Sequence, residues 1–61
     1  MKAREIIRII EKDGWTLWRQ KGSHMQFKHP TKPGTTTVPY HGSKDLAKIN
    51  IESILKQAGL K

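Results

Sequence analysis

The chain contains no cysteine. Neither a disulfide framework nor a thiolate metal site can be built from it, and since small secreted domains usually depend on such staples, a reducing compartment, the cytoplasm, is the expected location. Long apolar runs are missing as well. Hydrophobic residues make up 34% of the sequence and come in short periodic groups, so no stretch approaches the roughly 20 residues that span a membrane, and no signal-peptide core is visible. No membrane association is expected. The third scarcity is acid: five Asp and Glu stand against twelve Lys and Arg, a formal net charge of +7. Between Asp13 and Asp45 there is no carboxylate at all, whereas Arg19, Lys21, Lys28, Lys32 and Lys44 fall in that interval together with His24, His29 and His41. Charge segregated in this way points to a basic face and a polyanionic partner. Three histidines, few carboxylates and no His-x-x-x-His spacing offer no recognisable ligand set, so neither a metal nor another cofactor is expected.

What is present is arranged as five short elements in one domain, residues 1–61, a length that supports one small core. Ala3, Ile6, Ile7 and Ile10 recur with the spacing of a helix face, and Asp13-Gly14 stops that helix because glycine accepts a left-handed conformation without steric cost. Trp15 to Gln20 is aromatic and β-favouring, and Lys21-Gly22 reads as the break of a hairpin. Ser23 to His29 alternates strictly. A loop over Pro30-Thr31-Lys32-Pro33-Gly34 precedes a third strand, Thr35 to Tyr40, in which Val38 is the expected core residue. After a connection through His41-Gly42-Ser43-Lys44-Asp45-Leu46, Asn50 is the expected N-cap of a second helix whose buried stripe is Ile51, Ile54, Leu55 and Ala58, ended by Gly59.

The order α-β-β-β-α defines an α+β domain: a three-stranded antiparallel sheet with two helices on one face and the other face open. Met25 and Phe27 are the apolar set of strand two and point at the helices, so His24, Gln26 and Lys28 share the open face. Trp15 and Trp18 fall on opposite parities. One should pack under the helices and the other should lie on the open face, either stacking on an unpaired base or covering the sheet edge, and parity alone leaves open which is which. His29, beside Pro30, reads as a solvated surface residue.

Several pieces of the chain, in order, make a recognisable set: Gly14-Trp15, then Lys21-Gly22-Ser23-His24 with Gln26-Phe27, then Val38-Pro39-Tyr40-His41, and a closing Ile54-Leu55-Lys56-Gln57-Ala58-Gly59-Leu60. Together they resemble the HicA, or YcfA-like, toxin family over nearly the whole chain. The resemblance implies a double-stranded-RNA-binding-domain-like fold, ribonuclease activity against messenger RNA, and neutralisation by a HicB-type antitoxin. It also implies a catalytic role for the histidine of Gly-Ser-His, which is His24 here, and marks Pro39 and His41.

Histidine suits metal-free RNA cleavage because its ordinary pKa, about 6.5, lets it take or give a proton near neutrality. His24 is therefore expected to act as general base or acid. Lys21 at the turn and Lys28 on the same face are expected to hold phosphate, with Ser23, Arg19 and Lys44 as further RNA contacts. His41 is either an acid/base partner of His24 and an RNA contact, or a hydrogen-bonded turn residue. Two other readings explain the charge: a non-catalytic double-stranded-RNA-binding module, and a basic face that receives an acidic protein partner such as the antitoxin.

Overall fold

A computed structural model describes residues 1–61. Five elements follow one another as α1 (Ala3–Lys12), β1 (Thr16–Lys21), β2 (His24–Lys28), β3 (Thr35–Pro39) and α2 (Lys48–Gln57), and the strands form one antiparallel sheet in the order β1-β2-β3. This is the α+β arrangement expected from the periodicities. Both helices cover the face that carries Phe27, Thr36 and Val38, and the core is Ala3, Ile6, Ile10, Trp15, Phe27, Val38, Ile54 and Ala58. In α1 the buried residues repeat at the spacing of a single face. Its first turn is closed by the Lys2 amide donating to the Glu5 carboxylate at 2.8 Å.

The exit from α1 depends on Gly14, whose φ of +109° is a conformation that side chains rarely adopt. The site is also crowded, since a Cβ there would stand 2.7 Å from His29 Nε2. The hairpin turn between β1 and β2 uses Gly22 and Ser23 rather than Lys21 and Gly22. Pairing continues to Lys21↔His24, and the positive φ required in so tight a turn falls on Gly22 at +60°.

The register of β1 against β2 shifts between Leu17 and Arg19, so Trp18 is an extra residue in an otherwise regular ladder. This bulge decides which side chains reach the open face. Thr16 lies opposite Lys28, and unbroken alternation from it would turn Arg19 and Lys21 towards the helices. With one residue inserted, Arg19 comes opposite Gln26 and Lys21 opposite His24. The open face thus gains two cations.

Helix α2 begins at Lys48, two residues before the expected cap at Asn50, and its N-cap is Ala47, which has no side chain able to accept. Asn50 lies inside the first turn, its amide donating to the Ala47 carbonyl at 3.0 Å. Tertiary pairing sets the start instead: the Leu46 amide donates to the Met1 carbonyl at 2.8 Å, and Lys2 and Asp45 form an isolated antiparallel bridge. A backbone held this firmly by the N-terminal segment enters the helix without a side-chain cap.

Candidate nucleic-acid interface

The two ends of the sheet differ in their polar chemistry. One end comprises the β1–β2 turn, the start of β2 and the end of β3. His24 begins β2 there, with Lys21 opposite it on β1 and Pro39 opposite it on β3. The Tyr40 amide donates to the Ser23 carbonyl at 2.6 Å, which carries the pairing one residue beyond the ladder and delivers His41 to the same end. A turn then closes through the Lys44 amide and the His41 carbonyl at 3.3 Å, and Lys2 Nζ holds the Ser43 carbonyl at 2.8 Å. Lys21, Ser23, His24, His41 and Lys44 are therefore gathered at one end by backbone pairing. Ser23 is half-buried and the other four are exposed. No protein group hydrogen-bonds the His24 ring, and the carboxylate of Asp45 is engaged by Lys2 at 3.6 Å and by the N-terminal amine at 3.8 Å.

Arg19 and Lys28 share the open face with His24 but not its immediate surroundings. Lys28 is four residues along β2, roughly 13 Å at the rise of a strand, so the two side chains reach different parts of the face. Arg19 is nearer. Its Nε donates to Gln26 Oε1 at 2.6 Å, and its guanidinium carbon lies 4.3 Å from the centre of the Trp18 ring. Lys28 Nζ lies 3.9 Å from the same centre. Trp18 is 47% exposed whereas Trp15 is 1% exposed, which settles the parity question: Trp15 packs in the core, its N–H donating to the Ala58 carbonyl at 3.3 Å, and Trp18 lies on the open face. The bulge that places Arg19 and Lys21 on the same face has no signature in the sequence.

At the opposite end His29 is not a solvated residue, because its side chain is only 8% exposed. Nδ1 accepts the amides of Thr31 at 3.1 Å and Lys32 at 3.0 Å, so the ring proton sits on Nε2 and is donated to the Asp13 carbonyl at 2.6 Å. The ring meets Trp15 edge to face at 5.2 Å. Lys32 Nζ binds the Asp13 carboxylate and the Ala58 carbonyl, joining the β2–β3 loop to the ends of both helices. That hydrogen bond from Lys32, reinforced by the positive charge, holds the Asp13 carboxyl below the ordinary value of 3.8. The burial results from loop geometry, with His29 folded back over Gly14, the one position in the turn without a side chain.

A small α+β domain with its helices on one face of a three-stranded sheet and a basic, open second face is consistent with the double-stranded-RNA-binding-like architecture. Within that class the chain is more closely defined. The family described as HicA toxin of bacterial toxin-antitoxin matches residues 3–60, nearly the full length, and the chain belongs to that family. No curated protein matches it. No helix is long and apolar enough to cross a membrane.

Proposed function

We propose that this toxin is a cytoplasmic endoribonuclease that cleaves messenger RNA without a metal ion, with His24 moving the protons, and that a HicB-type antitoxin neutralises it by covering the same end of the sheet. The observation that carries the reading is the state of His24: an exposed imidazole with no partner in the protein, opposite Lys21 on a face whose cations have no carboxylate of their own. A histidine kept for structure is normally bonded, as His29 is.

In the reaction the ribose 2′-oxygen gives up its proton and attacks the adjacent phosphorus, while the bond from phosphorus to the 5′-oxygen breaks and that oxygen takes up a proton. The products are a 2′,3′-cyclic phosphate and a free 5′-hydroxyl. His24 serves one of the two transfers. Lys21, its cross-strand neighbour, offsets the charge that grows on the non-bridging oxygens, and the Ser23 hydroxyl and Lys44 ammonium add phosphate contacts. His41, which follows the Tyr40–Ser23 bond, serves the other transfer or holds RNA. Arg19 and Lys28 bind phosphates further along the strand.

The test is cleavage of an end-labelled RNA in EDTA by the purified protein beside a His24→Ala variant. Cutting by the first alone, leaving cyclic phosphate ends, is expected, with a loss of about 10²–10⁴-fold in the variant. RNA that is bound but left whole by both proteins would reject the ribonuclease reading in favour of a binding module.

A further inference from the structure

We infer that Trp18, Arg19 and Lys28 form a subsite for one unpaired nucleotide of single-stranded RNA, the base stacking on the Trp18 indole and the flanking phosphates held by the two cations. The inference deepens the ribonuclease reading by naming the form of RNA that its open face takes.

The starting point is the bulge. One extra residue in β1 puts a large aromatic ring and an arginine side by side on the face that also carries His24, Gln26 and Lys28. Trp18 is about half exposed. Its neighbours are cations, Lys28 Nζ at 3.9 Å and the Arg19 guanidinium at 4.3 Å from the ring centre. Neither forms an ion pair, and no carboxylate occurs anywhere from residue 14 to residue 44 to offer one. In the free protein the electron-rich ring face is the partner of Lys28, and Arg19 has it in addition to its hydrogen bond with Gln26.

A phosphate is a better one, because charge-assisted hydrogen bonds to an anion exceed the attraction of an exposed ring. Drawn onto a phosphate, Lys28 uncovers the ring for a base. Arg19 remains tied to Gln26 through Nε, which leaves its terminal nitrogens to point at RNA. The ring lies beside the Gln26 to Lys28 stretch of β2, roughly 7–13 Å from His24 at the rise of a strand, a span of roughly one to two nucleotides. Stacking of this kind tolerates any base but requires that the base be free of its own helix, since a duplex keeps its bases stacked on one another. The subsite thus selects unpaired RNA next to the bond whose cleavage His24 assists.

The two tryptophans make the test direct. Trp15 is enclosed with its N–H bonded, so a change of emission on adding RNA reports Trp18. A His24→Ala protein, which leaves RNA intact, is titrated with a single-stranded oligoribonucleotide and with a duplex of the same sequence, alone and with Trp18→Ala or Trp18→Phe added. The single strand is expected to quench the emission, Trp18→Ala to weaken single-strand binding about tenfold, the order of one stacked base, and Trp18→Phe to restore part of it, with duplex binding unchanged throughout. Unquenched emission at saturation, or equal losses for single strand and duplex, would overturn the subsite. Because the readout is binding, quenching in the His24→Ala protein combined with a parent protein that cuts no RNA would uphold the subsite while rejecting the ribonuclease reading.

Discussion

His24 and His29 stand five residues apart on one stretch of chain, at opposite ends of the same strand, and their surroundings differ in every respect that matters chemically. His24 is exposed and unbonded, with Lys21 opposite it on β1. His29 has both ring nitrogens engaged and is packed against Trp15, and through Asp13 and Lys32 its end of the molecule ties the β2–β3 loop to both helices. A domain this small has few ways to close its core, and here one end of the sheet supplies a polar clamp while the other keeps polar groups without partners. The same residue type does structural work at one end and is left available for chemistry at the other.

The clamped end is most vulnerable at Gly14. A side chain there meets both a positive φ and the His29 ring, so Gly14→Ala should cost about 2–4 kcal/mol. For a chain of this length each kcal/mol moves the thermal midpoint by roughly 4–8 °C; a melting curve checks it, and a midpoint within a few degrees of the parent would show that the clamp does not need its close approach.

Acid should loosen the same end. The Asp13 carboxyl titrates below its unfolded value because Lys32 binds its ionised form. A depressed folded value contributes stability that is complete above pH 4 or so and is lost as the pH falls through the folded value. Asp13→Asn should therefore lower the midpoint at neutral pH and shrink the fall seen between pH 5 and pH 2. An identical acid fall in parent and variant would remove Asp13 from the account.

The smallest effect lies between the two ends, at Thr36, whose buried hydroxyl has no hydrogen-bond partner. Replacing it with the isosteric valine removes an unsatisfied polar group, and Thr36→Val should gain about 1 kcal/mol without altering RNA cleavage. Denaturant unfolding measures the first and an RNA assay the second.

Much of this was readable from residues alone. Periodicity located the five elements, and the alternation of Met25 and Phe27 with His24, Gln26 and Lys28 assigned the faces of β2 correctly. The features that escaped were those set by contacts distant in sequence. Nothing in Trp15 to Gln20 announces the bulge, because its register depends on how β1 meets β2, and so the positions of Arg19 and Lys21 on the open face could not be derived from alternation. The start of α2 is fixed by Met1 and Lys2, more than forty residues away, which outweighs the local signal of Asn50. His29 looked solvated because a loop next to proline usually is, yet a loop that folds back over a glycine can bury a ring. Lys28 shares a face with His24, and the four residues of strand between them, countable in the sequence, set the two side chains at different places along it.

The most direct test of the division between the ends is to measure thermal unfolding and RNA cleavage on the same preparations of His24→Ala and His29→Ala. His24→Ala should keep the parent midpoint and lose cleavage, while His29→Ala should lose about 2–4 kcal/mol of stability and still cut RNA in proportion to the fraction folded. A His24→Ala protein that melts early, or a well-folded His29→Ala protein that no longer cuts, would contradict the account.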